Sequence, residues 1–186
     1  MTRPLTEPPG GVLMWLIVAL ELVTFAMVFT LIGVLRMQQP ALFHAGQAAL
    51  SSTVGLVFTL LLITSGLLAA EAVHAYRLTR THRAQRFLFA AIALGLAFVA
   101  FKLHDTAGHL AAGHRLGVDD FWDAYFLGTG FHLAHVLVGL VLLSVVAFRL
   151  HRARPPELET VAAVALFWHL CDLAWFFLFP LFFARA

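Results

Sequence analysis

Five runs of about twenty or more mostly apolar residues constrain this chain more than anything else in it: 12–35, 50–75, 87–106, 124–150 and 161–183. A helix rises about 1.5 Å per residue, so each run is long enough to cross a hydrocarbon layer of about 30 Å. Lipid offers no partner to an open backbone, which leaves helices or a closed barrel, and these runs are far too long for barrel strands. The chain is 61% hydrophobic and only 12% charged. A water-soluble domain carries roughly 25% charged residues, so that class is excluded. The first run is roughly twice the length of a signal-peptide core and no small-residue cleavage site follows it, so it reads as retained. The expected fold is all-α, a polytopic membrane bundle of five transmembrane helices forming a single domain over residues 1–186.

Orientation follows from the arginines, because short loops rich in Lys and Arg stay cytoplasmic. Arg3, Arg77, Arg80, Arg83, Arg86, Arg149, Arg152 and Arg154 fall on one side, against Arg36, Arg115, Arg185 and the edge residue Lys102 on the other. This predicts a cytoplasmic N-terminus and a periplasmic C-terminus. Between two spans, the stretch YRLTRTHRAQR is a topology signal, with Arg77, Arg80 and Arg83 as contacts to lipid phosphates, and not a nucleic-acid surface. The connections MQQPALFHAGQ and RARPPELE carry the Pro and Gly that end helices. The third connection, HDTAGHLAAGHRLGVDDFWD, holds His104, His109 and His114 at a spacing of five. That spacing does not repeat on one helical face, so a solvated or partner-facing loop is expected. The single cysteine, Cys171, allows neither a disulfide framework nor a Cys-based metal site.

Ionisable groups inside a span cost at least about 2.5 kcal/mol each on insertion scales, so each needs a partner or a purpose. Glu21 sits midway along the first span, with Thr24 on nearly the same face. It is either a proton-exchanging carboxylate in a cleft or, more simply, a neutral acid hydrogen-bonded to a neighbouring helix. In the fourth span Gly128, His132, His135 and Gly139 fall within about 60° of arc. Small residues on either side of the histidines let another helix approach, so the imidazoles should face protein. The fifth span places His169 three residues before Asp172, an acid that can take an imidazole N–H. In the second span Ser52, Gly55, Thr59 and Gly66 make a face suited to close packing, and Glu71 and His74 lie near its inner end. In the third, Lys102 and Asp105 can pair at i,i+3 with the lysine snorkelling outward, while His104 points elsewhere.

Membrane histidines also hold b-type haems, and imidazole suits copper and non-haem iron. His132 and His135 share one face a turn apart, so a haem would need His169 with one of them. Copper has no third soft ligand nearby, since Cys171 lies about 200° round the helix from His169. The expectation is no metal. No nucleophile with an adjacent base, phosphate loop or HExxH supports hydrolysis, and no broken helix or inverted repeat supports a transporter.

The segments GFHLAHVLVGL and FWHLCDLAWFFLFPLFF, with 37 residues from His132 to His169, resemble the last two helices of subunit III of haem-copper oxidases. WLIVALELVTFAMVF resembles that family's helix with an intramembrane glutamate, here Glu21. LLLITSGLLAAEAVHAYR resembles the following helix, with its LxxSG stretch at Leu62 to Gly66. FKLHDTAG resembles a helix ending in an acidic residue, here Asp105, with Thr106 where tyrosine is usual. Full-length members have seven helices, and this chain resembles the shorter five-helix bacterial forms that include the nitric oxide reductase accessory protein NorE. The resemblance implies a subunit without redox metal or other cofactor, non-catalytic by itself, in the bacterial inner membrane. Its partner would be the catalytic subunit of a haem-copper oxidase or nitric oxide reductase, with phospholipid as a further ligand. Glu21, His132, His135, His169 and Asp172 would form a polar network linked to protons or lipid, with Asp105 as a weaker surface member. The alternative is a small b-type cytochrome using His169 with His132 or His135.

Overall fold

The structure, a computed structural model, describes residues 11–150, 152 and 155–184. Arg3, Arg154 and Arg185, three of the charges behind the expected orientation, lie outside the described residues. Among those described there are six helices and no strand: α1 (Gly11–Gln38), α2 (Pro40–Ala49), α3 (Ser52–Arg77), α4 (Thr81–Ala111), α5 (Asp120–Arg149) and α6 (Leu158–Phe182). Five of them, all but α2, are long and apolar enough to cross a membrane.

The sixth helix is a departure from the expected loop after Arg36. Pro40 opens α2 instead of only closing α1, because a proline in the first helical turn lacks an N–H that would have no acceptor there. Phe43 of α2 is buried edge-on against Phe121, and Gly46 lies directly beneath that ring. The spans also outlast their apolar runs. α4 begins at Thr81 and ends at Ala111, so the arginine-rich stretch is mostly helix, as Arg, Gln and Ala favour. His104 and His109 are therefore helical and not part of a loop. α5 starts at Asp120, capped by Asp119, whose carboxylate accepts from the Trp122 N–H at 2.9 Å.

Helices α3, α4, α5 and α6 close a ring in which each packs on the next, and α1 lies outside it against α6 and α5. α1 buries only Val18, Phe25 and Ile32, seven residues apart, a spacing that keeps one narrow stripe on its neighbours. Lipid chains are as apolar as leucine, so the bundle is held by close packing and interhelical hydrogen bonds. Trp168 shows how: it is fully buried, and side chains at Gly139 or Gly95 would put a Cβ within 2.7 Å or 2.9 Å of its ring. Trp175 stands edge-on to Phe58 and Phe98, and its indole N–H donates to the Thr59 hydroxyl at 3.0 Å.

The close-packing face expected on the second span is the one that meets α6. Ser52 donates to the Phe183 carbonyl at 2.9 Å, Gly55 lies under the Phe183 ring and Gly66 under Asp172. The last carbonyls of a helix have no intrahelical donor. Here Ser52 is joined by Gln47, bonded to the Leu181 carbonyl at 3.0 Å, and by Arg36, 3.4 Å from that of Pro180. At the other end of the bundle Tyr76 reaches the Pro156 carbonyl at 2.7 Å and Gln85 that of Ala147 at 3.0 Å.

Candidate functional site

The two histidines of α5 face different neighbours. His135 Nε2 lies 3.0 Å from Glu21 Oε2, which joins α1 to α5 midway along both helices. Its Nδ1–H donates to the Phe131 carbonyl at 2.9 Å. With Nδ1 so engaged, the contact to Glu21 needs one proton between carboxyl and imidazole, carried by either group. Phe25 and Phe131 pack against the His135 ring and leave 22% of the Glu21 side chain and 15% of His135 exposed. Thr24, on nearly the same face as Glu21, donates its hydroxyl to the Leu20 carbonyl of its own helix.

His132 is completely buried. Its Nε2–H donates to the Cys171 carbonyl of α6 at 3.1 Å, and its ring lies among Phe98 and Trp175. It therefore faces another helix, as expected, but meets a backbone carbonyl and not an acid. One turn of α6 holds the remaining pair, with His169 Nδ1 3.3 Å from Asp172 Oδ2. A Cβ at Gly66 would overlap that same oxygen, so glycine is what lets α3 close over the carboxylate. The expected single network thus divides into three: Glu21 with His135, His132 with the α6 backbone, and His169 with Asp172.

A fourth centre was only half anticipated. Lys102 does pair with Asp105 at 3.3 Å, but it does not snorkel: its side chain is 2% exposed. It turns inward to the Tyr125 hydroxyl at 2.6 Å, and that hydroxyl donates to Asp105 Oδ2 at 2.9 Å. The ammonium also lies 4.3 Å from the Tyr125 ring centroid. His109 Nε2 stands 3.5 Å from the other carboxylate oxygen, Oδ1, and His114 stacks on Trp122 at 3.9 Å. Asp105 is thus the hub of a junction between α4 and α5 and not a weaker surface member. Tyr125 and His109 were missed. His109 is four residues from Asp105, a spacing that would have revealed it had the helix been extended past residue 106. Tyr125 left no such mark, since only packing brings it to Lys102.

At the opposite end of the bundle, Thr79 to Arg83, Leu150 and Arg152 line an open cavity of about 730 Å³. Arg80 and Arg83 are exposed there, and Arg77 is exposed in the last turn of α3. Glu71 and His74 are likewise exposed. Among the described residues, no three His, Cys, Asp or Glu side chains converge as ligands to one ion. Of the two histidines that a b-type haem would use together, His132 bonds the Cys171 carbonyl through Nε2 and His169 faces Asp172 through Nδ1.

Comparison with known proteins places the chain among respiratory oxidase subunits. A probable quinol oxidase subunit 3 of Staphylococcus saprophyticus is 29% identical over 163 residues, covering 81% of this chain and 80% of the relative. Quinol oxidase subunit 3 of Bacillus spizizenii is 24% identical over 89% of the chain and 81% of its own length. Cytochrome c oxidase subunit 3 of Corynebacterium diphtheriae is 29% identical over 72% and 66%. Residues 15–185 match the family described as Cytochrome c oxidase subunit III. That match reaches into all five spans and includes every polar pair described above, and the chain belongs to the subunit III family of the haem-copper oxidases.

Proposed function

We propose that this protein is a non-catalytic subunit that stabilises the catalytic subunit of a haem-copper respiratory oxidase, of the quinol or cytochrome c type. Its place is a bacterial inner membrane, with the N-terminus cytoplasmic and the C-terminus periplasmic. The observation that carries this reading is that Glu21, Asp105 and Asp172, three acids of the spanning helices, are each paired inside the chain. Glu21 meets His135, Asp172 meets His169, and Asp105 meets Lys102 and Tyr125. Such pairs join helices or share a proton between them. The relatives named as subunit 3 of quinol and cytochrome c oxidases supply the partner class. Arg77, Arg80 and Arg83 hold lipid phosphates at the cytoplasmic surface, where basic side chains gain about 1 kcal/mol each from anionic headgroups.

The test is affinity purification of the tagged chain from its native membrane in mild detergent, followed by a haem stain, a visible spectrum and identification of the haem-bearing polypeptide. The expected result is co-purification with an oxidase catalytic subunit and no haem on the chain itself. A nitric oxide reductase subunit in its place would move the assignment to that enzyme. A Soret band belonging to the isolated chain and lost in His169→Ala would establish the b-type cytochrome instead.

A further inference from the structure

We infer that the face shared by α3 and α6 around His169 is the seat of a transmembrane helix from another oxidase subunit, which presents a hydrogen-bond donor to the His169 imidazole. This rests on the chain being an oxidase subunit. His169 is the twelfth residue of the 25 in α6, so roughly 17 Å of helix or more separates it from either end. That depth is the middle of the hydrocarbon, yet its side chain is 42% exposed. The other two histidines at this depth are enclosed, His132 completely and His135 to all but 15%.

His169 Nδ1 faces Asp172, which leaves Nε2 as the nitrogen for the outside. In the neutral tautomer with Nδ1–H toward the carboxylate, Nε2 is an acceptor. Among the described residues, the buried Asp172 Oδ1 has no hydrogen-bond partner. A lipid chain can cover the surrounding surface but offers no hydrogen bond to either group. The rim is apolar: Leu173 and Phe176 lie one and two turns on from His169, and Ile63 and Leu67 flank Gly66 on α3, all exposed. A single polar group inside an apolar rim matches helix docking in membranes, where packing is supplemented by one interhelical hydrogen bond.

The experiment places a photo-crosslinking amino acid at Leu67 or Phe176 of the full chain, within the assembled oxidase in its native membrane. A parallel pair of variants, His169→Leu and His169→Gln, is scored by recovery of other subunits on the tagged chain. Crosslinks to another oxidase polypeptide are expected. His169→Leu should lower recovery by roughly three- to fifteenfold, and His169→Gln, which keeps an acceptor, should stay within about twofold of wild type. The crosslinks are made with His169 intact, so a folding defect in His169→Leu does not affect them. Lipid adducts alone at both positions, in a chain that still co-purifies with the oxidase, overturn this inference and leave the proposed function standing. Crosslinks only to a second copy of the chain also overturn it. So does a folded His169→Leu chain with undiminished recovery. A chain that co-purifies with no oxidase overturns both.

Discussion

The lysine of the third span is buried, and its charge is held by an acid three residues along and a phenol from the next helix. Removing one member of a buried ion pair leaves the other charge uncompensated, at a cost of about 3 kcal/mol or more. Lys102→Met should therefore lower stability in detergent by about that amount, read from thermal or denaturant unfolding. Adding Asp105→Asn should recover more than half of the loss, because the remaining groups are then neutral. Glu21 behaves differently. In Glu21→Gln the amide N–H can still donate to His135 Nε2, so the α1–α5 contact survives and the cost stays below about 1 kcal/mol. Oxidase turnover in that variant should remain within about twofold of wild type, and abolished turnover in a fully assembled complex would make Glu21 an obligatory proton carrier. Both pairs involve residues whose need for a partner was evident in the sequence. The identity of a partner was evident only where it lay three residues away, as for Lys102 with Asp105 and His169 with Asp172. Tyr125 and the Cys171 carbonyl are distant in the chain, and nothing in helical periodicity points to them.

Between helices, glycines set the distances. A side chain at Gly66 would strike the Asp172 carboxylate, whereas one at Gly33 meets nothing within 4 Å. Gly66→Ala should separate α3 from α6 and cost about 1–3 kcal/mol, the range for overpacking a closed contact. Gly33→Ala should lie within about 1 kcal/mol of wild type and on the stabilising side, since alanine is the better helix former. Unfolding midpoints of the two purified variants compare them directly. The Gly66 packing face was legible from small residues at helical spacing. The separation of His132 from His135 was not, although the two differ by only about 60° around α5. α5 packs on α6 over one part of its surface and on α1 over the adjacent part, so that small angle sends one imidazole to each.

For the molecule as a whole, the expected orientation has a clean readout, because the chain's only cysteine, Cys171, is fully buried. A cysteine introduced at Arg115 should react with an impermeant maleimide in intact spheroplasts, and one introduced at Leu78 only after the membrane is opened. The reverse pattern would invert the topology. α1, outside the ring and mostly exposed, is the helix with least of its surface fixed by this chain. Hydrophobic runs by themselves determined that the chain is helical and has five segments long and apolar enough to cross a membrane, because lipid leaves the backbone no other solution. They also determined which polar groups had to find partners. Which partner each one found was decided by the tertiary structure alone. That choice depends on the order in which helices pack and on how closely glycines let them approach, and both are properties of the assembled bundle and not of any one segment.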